Sequence, residues 1–372
     1  MNVLIIGGGA IGMMQARALA LEGCQVTLIE RGLCGKEASW AGGGIISPLY
    51  PWRYHPAVST LAQWSQQFYA NLAESIEAES GISPELNHHG LLILSVDDED
   101  EAVQWGEDNR RLRRVEREEI YQLEPSLREG FSSALWMPQV DSIRNPRLGR
   151  ALRESLARMG RVRVVESEGV IGFLRKKQRI RGVETASGRY EADVTIVAAG
   201  AWSGELLGSL GLLLPVEPVK GQMVLLQGEP GRVRRVVLRD GKYVIPRRDG
   251  MVLAGSTLEH CGFDKSTTNE AKEALLDAAI DLFPQLADST LAGHWAGLRP
   301  GVKGGLPFIG EVPAFPGLYV NTGHFRNGLV LAPASVHLLT CLLADRPLPF
   351  DPAPFSPDRL NLVPPPIPCP VF

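Results

Sequence analysis

Two hydrophobic periodicities divide the chain. Residues 2–6, 26–29, 162–165 and 194–199 are short, unbroken apolar runs rich in β-branched side chains, the pattern of strands buried on both faces of a parallel sheet. Helical spacing separates them over residues 13–22, 58–80 and 148–158, and returns over 269–283 and 329–344. Between 215 and 259 the style changes. The runs 219–226, 234–238, 242–246 and 251–256 follow one another with only turn residues between them, which predicts an antiparallel sheet in a separate layer. Residues 90–96, 131–138 and 317–320 read as further strands, and 180–184 as part of a hairpin. The expectation is an α/β (α+β overall) chain with a parallel Rossmann-type sheet and an antiparallel one. The first is discontinuous, built from 1–80, 148–214 and 291–372, and the second domain takes 81–147 and 215–290.

The first strand runs into Gly7-Gly8-Gly9-Ala10-Ile11-Gly12, which fits G-x-G-x-x-G. Gly7 permits the tight turn, Gly9 lets backbone amides approach a pyrophosphate, and Gly12 lets the helix pack on the strand. The second strand ends on Glu30, placed to accept hydrogen bonds from ribose hydroxyls. Strand, turn, helix and acid together predict a dinucleotide site, with NAD and FAD both open at this stage. Small residues crowd 39–47, and the strand 194–199 ends in Gly200-Ala201-Trp202-Ser203, so backbone at both places suits close approach to a flat ligand. Residues 321–328 form another Gly-containing turn into a helix, offering amides at its N-terminus.

Composition narrows the setting without changing the fold. Hydrophobic residues at 44% and charged residues at 22% are those of a soluble globular protein. A net charge of −4 gives no reason to expect nucleic acid. The cysteines Cys24, Cys34, Cys261, Cys341 and Cys369 have neither disulfide nor metal-ligand spacing, so no metal is expected and a cytoplasmic setting is the simplest. The N-terminus lacks the basic segment of a signal peptide. The apolar stretch 329–344 contains Pro333 and His337 and is short for a membrane span, so no membrane association is expected. The charged stretch 97–119 predicts a solvated helix face, and Pro364, Pro365, Pro366 and Pro368 an extended tail.

The Gly motif with Glu30, followed in order by residues 41–47, 197–203, Trp295-Ala296-Gly297-Leu298-Arg299-Pro300-Gly301 and Gly323-His324-Phe325-Arg326-Asn327-Gly328, resembles the D-amino acid oxidase superfamily of FAD-dependent amine oxidoreductases. Within it the resemblance is to bacterial glycine oxidases of thiamin biosynthesis. It implies FAD, contacted at Gly7, Gly9, Ala10, Gly12, Ile29, Glu30, Glu37, Ala38, Gly42, Gly43, Gly44, Val170, His324, Phe325, Arg326, Asn327, Gly328, Leu329 and Val330. Trp40 and Gly42 to Gly44 depart from the serine and alanines that relatives often carry there. No cysteine lies near Arg299, where sarcosine oxidases attach FAD covalently, so the cofactor is expected to be non-covalent.

Arg299 is the candidate for substrate, because a guanidinium offers a planar, permanently charged fork to a carboxylate. The resemblance implies that Tyr243 joins it and that the main chain of Arg326 lies near the substrate amine. It further implies oxidative deamination of glycine, sarcosine or small D-amino acids to a 2-oxo acid such as glyoxylate, ammonia or an amine, and hydrogen peroxide. Orientation suffices for hydride transfer from Cα to flavin N5, so no acid or base side chain is required. The implied partners are the amino acid and oxygen, in a homo-oligomer (a tetramer by resemblance). The competing readings are a dehydrogenase passing electrons to another acceptor, and a flavin-binding module without turnover.

Overall fold

The computed structural model describes residues 1–109 and 111–362, so the expected Pro-rich tail and Cys369 lie outside the described residues. A six-stranded sheet runs Phe308–Glu311, Leu318–Thr322, Val194–Val197, Asn2–Ile6, Gln25–Ile29, Val162–Val165. All its pairings are parallel except the one between Phe308–Glu311 and Leu318–Thr322. The N-terminal strand is central, with Ile5 in register with Ile196 on one side and Leu28 on the other. The chain leaves it first to one side and later to the other, which opens a crevice at its carboxyl end.

Alternation along these strands feeds two cores. Val3, Ile5, Leu28 and Ile196 pack beneath helices Ala10–Leu21, Pro56–Ser80, Asn145–Arg158 and Gly328–Leu343, while Leu4, Ile6, Ile29 and Val197 face Ile180 and Val183 of a three-stranded meander, Val170–Lys176, Arg179–Thr185 and Gly188–Glu191. The helical stretch Phe325–Leu343 is long and apolar enough to cross a membrane by length and composition. Ten of the residues of Gly328–Leu343 are nevertheless buried, and Val330, Leu331 and Leu338 sit in the core of this chain.

The second sheet has eight strands, in the order Thr290–Gly301, Glu217–Gln227, Met251–Gly255, Lys242–Pro246, Val236–Arg239, Leu91–Leu94, Ser133–Met137, Arg113–Glu116. Helix Asn269–Leu282 covers one face through Leu275, Ala279 and Leu282. The runs expected to be antiparallel pair that way, and Leu91–Leu94 extends the sheet parallel to Val236–Arg239, so the sheet as a whole is mixed. These two strands come from two separate excursions of the chain, so no hairpin dictates their direction. Thr290–Gly301 is hydrogen-bonded to Glu217–Gln227, with Arg299 opposite Val219. The charged stretch 97–119 is not one helix but helix Glu99–Asn109, edge strand Arg113–Glu116 and helix Arg117–Leu123. Only Val115 of that strand is buried, and its exposed charges suit an unpaired sheet edge.

Candidate active site

A cavity of about 490 Å³ lies between the carboxyl ends of the parallel strands and the near face of the eight-stranded sheet. One end is built from backbone. Gly7 has φ +110° and donates to Ile29 O at 2.9 Å, and a Cβ there would meet Ala198 O at 2.4 Å. A Cβ on Gly12 would meet Gly7 O at 1.9 Å, so helix and turn touch without an intervening side chain. The helix Ala10–Leu21 has no acidic residue in its first turn and no side-chain cap from Gly9. Its positive end is therefore left to face an anion in the cavity. Ser39 Oγ accepts from Ala10 N at 2.8 Å, and Glu30 accepts from Gly8 N at 2.7 Å and Gly32 N at 2.9 Å. Both carboxylate oxygens of Glu30 are thus fixed at the cavity wall.

The loop expected to lie on a flat ligand is held from behind. Arg247, buried, donates to Gly43 O at 2.8 Å and Ile143 O at 3.1 Å, and Asn145 Nδ2 donates to Ser39 O at 3.0 Å. Burial pulls the Arg247 guanidinium down to about 10. His324 Nε2 lies 3.0 Å from Ser335 Oγ, and burial pushes the ring down to about 3, so it is neutral at ordinary pH.

The other end is built from side chains. Arg299 donates through Nη1 to Lys220 O and Thr257 O, both at 3.2 Å, and through Nη2 to Ser256 Oγ at 2.7 Å. All three acceptors are neutral. Burial lowers its pKa from the usual arginine range, and Arg326 adds to this while Tyr243 opposes it. Gly221 makes room for the guanidinium, since a Cβ there would lie 2.1 Å from Nη2. Tyr243 Oη donates to Met223 Sδ at 3.4 Å, and its hydroxyl lies 3.3 Å from where Gly43 would carry a Cβ.

Of the residues predicted from sequence, Gly7, Gly9, Ala10, Ile29, Glu30, Glu37, Ala38, Gly42, Gly43, Gly44, Val170, Tyr243, Arg299, His324, Phe325, Arg326, Gly328 and Leu329 line this one cavity. Gly12, Asn327 and Val330 are buried outside its lining. Sequence reasoning did not single out Ser39, Asn145, Arg247, Gly221 or Ser256. Their partners lie far away in sequence, on neighbouring strands or on separate elements, and no spacing in the chain announces them.

The model of the family FAD dependent oxidoreductase (DAO) matches residues 2–342. The chain belongs to that family. This oxidoreductase is 53% identical to the glycine oxidase of Pseudomonas aeruginosa over 96% of its own length and 98% of that protein. It is 31% identical to the bifunctional protein ThiO/ThiG of Nostoc sp. over 93% of its own length, spanning 53% of that longer chain. Among solved structures, the glycine oxidase from Geobacillus kaustophilus matches with a TM-score of 0.91 at 29% identity, covering 96% of this chain and 98% of that one. The cofactor of this flavoenzyme is therefore FAD. The residues present fit it: a glycine turn, a helix N-terminus free of acidic side chains and the fixed carboxylate of Glu30 open into one cavity.

Proposed function

We propose that this flavoenzyme oxidises glycine and other small amino acids, with oxygen as the electron acceptor. The observation that carries the reading is Arg299: a charged fork held by three neutral acceptors in the cavity that the dinucleotide turn also lines. No carboxylate among those contacts spends its charge, so the guanidinium is available to a substrate carboxylate. Tyr243 stands beside it as a second donor, and the close wall of Met223, Tyr243 and Gly43 favours a substrate with a small side chain.

The remaining roles follow from charge and placement. Gly7, Gly9 and the helix after them hold the pyrophosphate, Glu30 the ribose, and 42–44 with 324–330 the flavin end, without a covalent bond. FAD bound there would supply the two-electron redox chemistry that links oxidation of the Cα–H bond to reduction of oxygen. Arg299 and Tyr243 set the angle at which Cα meets that acceptor. The positive charges of Arg299 and Arg326 also favour the neutral over the protonated substrate amine, and only the neutral amine has a lone pair with which to form the imine. Hydrolysis of the imine then gives the 2-oxo acid and ammonia, or an amine from an N-alkyl substrate, while oxygen becomes hydrogen peroxide. With glycine the product is glyoxylate or its imine, which suits supply of the thiamin thiazole. The same reading divides the chain into an FAD domain around the parallel sheet and a substrate domain around the mixed one. It also takes the enzyme as a cytoplasmic homo-oligomer.

The test is anaerobic loss of flavin absorbance with glycine, sarcosine, D-alanine, D-proline and N-ethylglycine, followed by admission of air. Bleaching and peroxide-producing recovery are expected with glycine. A spectrum that no member of the panel bleaches would overturn the assignment, and bleaching without recovery in air would overturn oxygen as the acceptor.

A further inference from the structure

The loop after strand Met251–Gly255 does something that neither substrate binding nor the core requires. The loop is fixed to the mixed sheet by Lys220, which is 2% exposed. Lys220 Nζ lies 3.1 Å from Glu259 Oε2 and 3.0 Å from Asp264 Oδ2, and donates to Ser266 O at 3.1 Å. Its tip reaches the other side of the crevice. Phe263 stacks on Trp202 with ring centroids 5.5 Å apart and planes inclined by 25°. Lys265 Nζ donates to both oxygens of Glu37 at 3.1 Å. The circuit closes through Arg31, whose guanidinium lies 3.7 Å from the Trp202 ring centre and 3.5 Å from Glu37 Oε1.

Arg31, Glu37 and Trp202 line the cavity on the dinucleotide side, next to Glu30 and Val170. Phe263 and Lys265 come from the substrate side. Phe263 is 38% exposed and the Lys265 side chain 46% exposed, so neither contributes much to a core. A half-exposed phenyl ring on a loop anchored at Glu259, Asp264 and Ser266 is better explained by what it holds.

The geometry points to Phe263 and Lys265 as a clasp that retains FAD, by pinning the Arg31–Glu37–Trp202 wall from across the crevice. They are positioning residues and act through that wall. A dinucleotide seated behind it leaves only when the stack and the ion pair both open. The inference rests on FAD as the cofactor and not on the identity of the substrate, so an enzyme that binds FAD but ignores glycine still tests it.

The experiment follows flavin fluorescence after dilution of the holoenzyme, for wild type and for Phe263→Ala/Lys265→Met. An aromatic stack and an exposed ion pair lost together predict release about tenfold faster. The pair Phe263→Tyr/Lys265→Arg keeps both contacts and should restore the slow rate. The stack and the ion pair are contacts of the protein itself, so the melting temperature of the apoprotein should fall by a few degrees at most, and the conservative pair should restore it along with the slow release. Unchanged release in the double variant overturns the clasp. So does faster release that the conservative pair does not restore. The single variants, each with a smaller expected effect, keep the test decisive if the double variant fails to fold.

Discussion

Two glycines show how differently the ends of the cavity are made. At Gly12 a Cβ would collide with the carbonyl oxygen of Gly7 at 1.9 Å, backbone against backbone. At Gly221 it would collide with Nη2, Nη1 and Cζ of Arg299 at 2.1–2.4 Å, the far end of a flexible side chain. The glycine-turn end is a backbone surface that cannot yield without the fold yielding too. The Arg299 end is a set of side chains that can be displaced while the sheet beneath them stays intact.

Gly12→Ala and Gly221→Ala should therefore part company. Gly12→Ala is expected to have the broadest effect, reaching fold and cofactor together, because backbone overpacking costs about 1–3 kcal/mol or more and distorts the turn itself. The outcome is a less stable protein purified without flavin. Gly221→Ala is expected to keep its melting temperature and its flavin but lose activity on amino acids, the guanidinium having been pushed aside. Thermal unfolding, flavin content and kcat/KM on the two purified proteins make the comparison. A Gly221→Ala protein with normal turnover would show that Arg299 need not occupy this place.

Arg299→Lys keeps the charge and removes the fork. Loss of a partner from a desolvated charge-assisted contact costs on the order of 2–5 kcal/mol, or roughly thirty- to several-thousandfold in kcat/KM. A simple primary amine, which has no carboxylate, should be oxidised equally slowly by both proteins. Equal losses for glycine and for the amine would place Arg299 in the fold and not on the substrate.

The contrast between the ends also explains what the sequence could disclose. Gly7, Gly9, Gly12 and Glu30 act through local backbone geometry within one strand–turn–helix–strand unit, so their spacing is the signal. Lys242–Pro246 was legible to the residue as a strand, yet nothing in its alternation tells that Tyr243 meets the flavin loop. Arg299 was singled out by its chemistry and by resemblance, while the acceptors that orient it come from Lys220 on the neighbouring strand Glu217–Gln227 and from Ser256 and Thr257, which follow the next strand, Met251–Gly255. Arg247 reaches Gly43 across 204 positions of chain, a separation no periodicity can encode. The strand Thr290–Gly301 is hard to read from the sequence for a similar reason. Gly293, Gly297, Pro300 and Gly301 dilute the β pattern of Thr290–Gly301, and its long partner Glu217–Gln227 overrides that weak propensity. Arg113–Glu116 was hidden in the opposite way, by charges that belong to an exposed edge.

Glu30→Ala tests the backbone end more gently than Gly12→Ala. A lost hydrogen bond to a charged group is worth about 1.5–3 kcal/mol, which is roughly ten- to a hundredfold in FAD affinity. The carboxylate also ties Gly8 to Gly32, so its removal frees two amides at the cavity wall. Titration of the apoprotein with FAD should show the weaker binding, with the flavin-loaded variant retaining its KM for glycine. A dissociation constant equal to that of the wild type would remove Glu30 from the cofactor site.

The smallest expected effect, Ser256→Ala, separates orientation from binding. Ser256 Oγ accepts from Arg299 Nη2 at 2.7 Å, while Lys220 O and Thr257 O keep hold of Nη1. Without the hydroxyl the fork can rotate about its remaining anchors, but Nη2 still faces a cavity where water or the substrate carboxylate can satisfy it. The cost is therefore nearer the lower end for a charge-assisted bond, about 1 kcal/mol, or roughly fivefold in kcat/KM. It should appear mainly in KM, with flavin content and melting temperature unchanged. Coupling gives the decisive readout. If Ser256 acts only by aiming Arg299, Ser256→Ala added to Arg299→Lys should cost almost nothing more, because the bond it removes no longer has its donor. Losses that multiply in the double variant would show that Ser256 touches the substrate on its own account, and the two ends of the cavity would then differ less than the glycines suggest.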